Sequence, residues 1–228
     1  MFGFSLKSVS VLAGTCLLLA ACSGRYRIDG TVDTIGYEGH VMSVMQFTES
    51  GKTVFDTCTV NHGKFQMKGS TDSTRFVVLC KDGRPVVPMY LEKGKSKIDI
   101  SRTEVSVSGT RQNDLFYSFL KKKNAIDNRY DELWQKRMSM VQSEVFGGNE
   151  LDEIHDSLAM IVAECEDMIY GFVTSNYDQQ ASLGVFLMLC GHQNEPSLLV
   201  RRILDGAPDF FLNNPSVAGY INRVGYTR

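Results

Sequence analysis

No two of the four histidines stand close enough to put paired imidazoles on one helix face, and no H-x-x-x-H or H-E-x-x-H grouping occurs. That excludes the commonest helical zinc sites. There is no C-x-x-C pair, so the dithiol of thioredoxin-like redox catalysis is missing. A G-x-S-x-G elbow is absent, and Gly147-Gly148 falls between helical patterns rather than after a strand, which leaves no phosphate-cradling loop. Lys and Arg total 24 against 26 acids, a net charge of -2, so the basic excess of a phosphate-backbone binder is lacking and nucleic acid is not an expected partner. Beyond the first two dozen residues no apolar run reaches the roughly 20 residues that a membrane-spanning helix needs. No catalytic constellation and no cofactor site remain, and the chain is not expected to be an enzyme.

The N-terminus is the most informative stretch. Lys7 is its only charge, Val9 to Leu19 is almost wholly apolar, and small residues follow. A short positive region, an apolar core and small residues before a cut are the parts of a secretory signal, here residues 1–21. The ending Leu19-Ala20-Ala21-Cys22 resembles the lipobox of bacterial lipoproteins. That resemblance implies that the Cys22 thiol receives a diacylglycerol and becomes the new N-terminus. Burial of acyl methylenes at about 0.8 kcal/mol each lets two or more chains hold a soluble domain on a bilayer. Ser23 is compatible, by the same resemblance, with delivery to the outer membrane. Gly24-Arg25-Tyr26-Arg27 lacks the acidic cluster that directs such proteins to the cell surface. The expected address is the cell envelope, lipid-anchored, facing the periplasm.

Residues 22–110 read as strands. Tyr26 to Val32, Val41 to Phe47, Val54 to Val60, Phe65 to Met67, Arg75 to Leu79, Val86 to Leu91, Lys97 to Ile100 and Val105 to Val107 are short apolar or alternating runs. Turn residues separate them at Glu49-Ser50-Gly51-Lys52, Asn61-His62-Gly63-Lys64 and Lys81-Asp82-Gly83-Arg84-Pro85, and a turn or bulge is expected at Asp29-Gly30. No crossover helix fits between them, so the spacing predicts an antiparallel β-sandwich. Phe65 is expected as a core anchor, Gly63 in a turn at positive φ, and Thr110 as the cap of the first helix.

Residues 111–228 read as helices. Leu115, Phe119, Ile126, Tyr130, Leu133, Trp134, Met138, Val141 and Val145 follow helical spacing. Leu151, Ile154, Leu158, Ile161, Cys165, Met168 and Phe172 alternate by three and four, a seam that wants a partner helix. The break at Gly147-Gly148-Asn149 implies a helical hairpin. A shorter helix, apolar almost all round, spans about Gln179 to Cys190, and further short helices start near Pro196 and Pro215. The fold class is α+β: an N-terminal β-sandwich, a helical hairpin and short C-terminal helices.

Phe55-Asp56-Thr57, Val60 to Phe65, Gly69, Tyr90 to Gly94, Val107 to Thr110 and Asn113 together resemble the DUF4369 domain over about residues 25 to 115. That module heads many exported Bacteroidetes lipoproteins, commonly before a thioredoxin-like domain. The resemblance implies a β-domain and an envelope location without an activity. The chain ends at Tyr226-Thr227-Arg228 with no catalytic Cys pair, so thioredoxin activity is not carried over.

Cys58, Cys80, Cys165 and Cys190 would meet an oxidising compartment. They either bridge, within the β half and within the helical half, or stay as buried thiols. Glu164 and Glu166 beside Cys165 would raise its pKa rather than activate it. Lys121-Lys122-Lys123 reads as a solvated helix face, and Asp152 with His155 as an exposed i, i+3 pair. Asp33-Thr34-Ile35, Asp72-Ser73-Thr74 and Asp156-Ser157-Leu158 resemble a short O-glycosylation signal. The functional expectation is a membrane-anchored binding or scaffold module with a protein partner. The alternatives are an accessory to thiol-disulfide exchange and a small-ligand carrier with a cleft between sandwich and helices.

Overall fold

A computed structural model describes residues 24–33, 35–48, 51–142, 149–191 and 195–227. Eight strands come first: β1 (Gly24–Val32), β2 (Val41–Thr48), β3 (Gly51–Thr59), β4 (Lys64–Thr71), β5 (Arg75–Lys81), β6 (Arg84–Leu91), β7 (Gly94–Ile100) and β8 (Val105–Ser108). Six helices follow: α1 (Arg111–Gln142), α2 (Glu150–Thr174), α3 (Gln180–Cys190), α4 (Leu198–Asp205), α5 (Asp209–Leu212) and α6 (Pro215–Val224). The expected α+β class is the observed one.

The strands form two four-stranded sheets, one ordered β4-β1-β7-β8 and the other β3-β2-β5-β6. Alternate side chains fill the space between them: Ile28, Met42, Val44, Met67, Leu79, Val87, Met89 and Ile98 are each at most 2 % exposed. This follows from the period of two along each strand. One pairing departs from the antiparallel expectation, because β1 runs parallel to β7. A parallel pair needs a long connection, and here the whole run from β2 to β6 supplies it, so no crossover helix is required.

The turn or bulge expected at Asp29-Gly30 does not form; β1 pairs with β4 without interruption from Gly24 to Thr31. Gly30 lies opposite Phe65, and a Cβ on Gly30 would stand 2.0 Å from that ring. Glycine is there to admit an aromatic from the neighbouring strand, not to bend the chain. At the Asn61 to Lys64 hairpin, His62 (φ 50°) and Gly63 (φ 67°) adopt the left-handed conformations of a tight two-residue turn. The Glu38 carboxylate accepts hydrogen bonds from both of their amides, at 2.9 and 3.1 Å.

The helices pack on the outer face of the second sheet. Phe76 of β5 and Tyr90 of β6 meet Phe116 of α1 edge to face, at 6.2 and 5.6 Å. Around them, Val173, Phe186, Ile203, Leu204, Phe211, Val217 and Tyr220 build a second core. α1 enters it through Phe116 and Phe119 near its start, and Ile126 further along is also buried. Trp134, Met138 and Val141, which follow the helical spacing, are 38–44 % exposed. Far along the hairpin, the ion pairs Arg129–Glu164 and Lys136–Glu150 tie α1 to α2, and one partner helix cannot cover the whole stripe. Met188 of α3 is likewise 56 % exposed.

Candidate functional site

Cys22, Thr34, Gly147, Gly148 and His192 lie outside the described residues, as do residues 1–21, the stretch expected to be a signal. The four other cysteines are free thiols. On β2, Met42 pairs with Cys58 of β3 and the next residue, Ser43, pairs with Cys80 of β5. Cys58 and Cys80 therefore sit two strand spacings apart, about 10 Å, with side chains on opposite faces. A disulfide spans Cα atoms at most about 7 Å apart, so these two cannot bridge without moving a strand.

Burial raises the pKa of every one of the four. Cys190, inside the helical core, is pushed up to about 12, with the Tyr220 hydroxyl and Arg223 opposing weakly. Cys165 is raised first by desolvation; Lys123 opposes, and Asp127, Glu166 and Glu164 add to it. Cys58 and Cys80 are raised by desolvation as well. Thiols of this kind remain protonated near neutral pH and are poor nucleophiles.

The histidines are dispersed. His40 pairs with Asp82 at 2.6 Å on an exposed turn, while His62 and His155 are exposed. Among the described residues no three His, Cys, Asp or Glu side chains converge as a metal site.

What joins the two halves is a buried amide cluster that pattern reading did not single out as a site. Asn113, three residues into α1 and 0 % exposed, accepts from the Tyr90 amide and donates to the Tyr90 carbonyl, both at 2.8 Å. Its amide also donates to Thr110 Oγ1 at 2.8 Å. Thr110, just before α1, thus supports Asn113 as well as opening the helix. Beside it, Gln112 donates from Nε2 to Gln179 Oε1 and accepts from the Ala181 amide, each at 2.9 Å. Its own amide donates to Glu92 at 2.8 Å. Two consecutive amides on the apolar side of a helix start were the available signal.

Three surfaces are open to partners. The first is the outer face of the sheet β4-β1-β7-β8, which carries Arg25, Arg27, Lys64, Lys68, Lys95 and Lys97, all exposed. A shallow concavity of about 530 Å³ runs from it to the edge of β3, against Arg27, Asp29, Lys64, Gln66 and Lys97 and against Cys58 and Thr59. The second is a cleft of about 800 Å³ between β8, β6 and α1, with Pro88, Val105, Tyr117 and Leu120 among many polar neighbours. The third is the far part of the helical hairpin. There Tyr130 and Trp134 stack at 6.2 Å, Arg137 lies over Trp134, and Met160 of α2 is 73 % exposed.

Within the strands, the order of motifs agrees with one family. Residues 26–116 are a DUF4369 domain. It is a domain of unknown function, and its match ends at Phe116, inside α1. The DUF4369 domain thus includes Asn113 and the first aromatic that α1 plants against β5 and β6. No curated protein and no solved structure matches the chain.

Proposed function

We propose that this chain is a lipid-anchored protein of the bacterial cell envelope that works by binding, as a scaffold held at the outer membrane on its periplasmic side. The observation that carries the reading is Leu19-Ala20-Ala21-Cys22, with β1 beginning at Gly24. The anchor would then join a folded strand through a single residue, Ser23. Support for binding rather than catalysis comes from the thiols, which burial keeps protonated, and from the scattered histidines. The open cleft and the exposed apolar side chains of the hairpin are surfaces left free for a partner.

Metabolic labelling with palmitate tests the anchor. The chain is expected to incorporate label and to sediment with membranes, and a Cys22→Ala variant to do neither while keeping its fold. Unchanged membrane fractionation of that variant overturns the anchor. Crosslinking in native envelopes is expected to capture a protein partner, and none captured would remove the scaffold role.

A further inference from the structure

The DUF4369 domain gathers cations that the sequence disperses. On β1 the outward positions are Arg25, Arg27, Asp29 and Thr31, because Tyr26, Ile28, Gly30 and Val32 point into the core. The register sets Lys68, Arg27 and Lys95 side by side across three strands, with Gln66, Asp29 and Lys97 in the next row. Lys64, Thr31 and Asp99 form the row beyond. Six cations therefore face two carboxylates on one sheet, in a chain whose overall charge is -2.

The two carboxylates are engaged. Asp29 takes Arg27 at 2.8 Å and Lys95 at 3.1 Å, and Asp99 takes Lys97 at 2.8 Å and the Thr31 hydroxyl. Arg25, Lys64 and Lys68 have no ion pair among the described residues. Like charges this close repel one another, a cost that an anionic partner would relieve. The helical core packs on the opposite sheet and α1 meets this one at its edge strand β8, so the outward side chains of Arg25, Arg27, Lys64, Lys68, Lys95 and Lys97 stay exposed.

The geometry points to this face as the surface on which the domain lies against an anionic phospholipid bilayer. Charge complementarity supplies the attraction, at a strength of about fivefold in affinity for each Lys or Arg brought near the headgroups. The place of Cys22 supplies the proximity: two residues span at most about 7 Å, so a lipid on Cys22 would hold Gly24 and Arg25 at headgroup level. Lys93 adds to the same end, since a Cβ on Gly24 would stand 2.6 Å from its Cβ. The shallow concavity beside Arg27, Lys64 and Lys97, whose one carboxylate, Asp29, is already paired with Arg27 and Lys95, offers donors for a headgroup phosphate. The proximity, and only that, rests on the proposed anchor.

The test uses the chain from Ser23 onward; among the described residues the two cores begin at Tyr26. It is sedimented with vesicles of phosphatidylcholine alone and of an equal mixture with phosphatidylglycerol. Binding is expected only to the mixture, and to weaken as salt shortens the screening length below about 10 Å. The pair Lys68→Gln and Lys95→Gln is expected to lower the partition coefficient about 25-fold, while Lys121→Gln with Lys122→Gln on α1 leaves it unchanged. Equal binding to both vesicles, no binding to either, or equal loss in the two variant pairs would overturn the assignment. Binding to an acidic polypeptide as tight as to the mixture would make the face a protein site and sink the membrane reading. Because this form lacks Cys22, failure of the anchor would leave the vesicle result untouched.

Discussion

Replacing Asn113 with Leu keeps the volume of the side chain and removes both of its hydrogen-bonding atoms. Tyr90 then loses the acceptor for its amide and the donor for its carbonyl, at a site where Asn113 is wholly buried and Tyr90 only 2 % exposed. An orphaned buried backbone group costs about 1–3 kcal/mol, so the substitution should cost about 2–6 kcal/mol. No rearrangement of the strands relieves it, because at that position β6 is an edge strand, with β5 on its other side. Urea unfolding followed by tryptophan fluorescence and by far-ultraviolet circular dichroism measures it. With a slope of roughly 2 kcal/mol per molar, the midpoint should fall by about 1–3 M. Since Asn113 ties the sandwich to α1, the two signals should also separate, Trp134 of the hairpin reporting a different midpoint from the strands. A loss below about 1 kcal/mol with coincident transitions would refute the idea that this amide couples the two cores.

Gly30→Val should destabilise by at least the 1–3 kcal/mol typical of an overpacked core, because the Phe65 ring occupies the space of the new side chain. Pairing it with Phe65→Ala should recover part of that loss, and strictly additive costs in thermal melts would contradict the steric account. Arg27 first, with Gln66 and Lys95, holds the Asp29 carboxyl down to about pKa 2. A depressed carboxylate pKa adds stability that is complete above the ordinary value near 3.8 and is lost as pH falls through about 2. Asp29→Asn should therefore lower stability at neutral pH and flatten the acid limb between about pH 4 and 2. An unchanged acid limb would show that the pairs contribute nothing.

Much of the fold was legible because local periodicity was clean. Ile28, Val44 and Ile98 recur every second residue on their strands, and Ile154, Leu158 and Ile161 every third or fourth, so element type and the inward face could be read directly. The reading failed where a residue answered to a distant neighbour. Gly30 looked like a turn, yet its reason is Phe65, which lies across the ladder. Trp134 and Met138 obeyed the helical period, yet only one helix lies beside them. Asn113 entered only as part of the family pattern and Gln112 not at all, because their partners, Tyr90 and Gln179, come from other elements.

Charge shows the same division. The run that catches the eye, Lys121 to Lys123, sits on a helix where Lys123 pairs with Asp127 at 2.6 Å and the other two are exposed. Arg25, Lys68 and Lys95 stand tens of residues apart and draw no notice in a linear reading. By itself the sequence determined the apolar run ending in Leu19-Ala20-Ala21-Cys22, the order of strands and helices and the composition of each face, since those depend on neighbours within a few positions. Only the tertiary structure decided the parallel pairing of β1 with β7, the amide lock at Tyr90 and the basic face. Each of these depends on register between segments far apart in the chain, and register is set by how whole elements bury their apolar sides together.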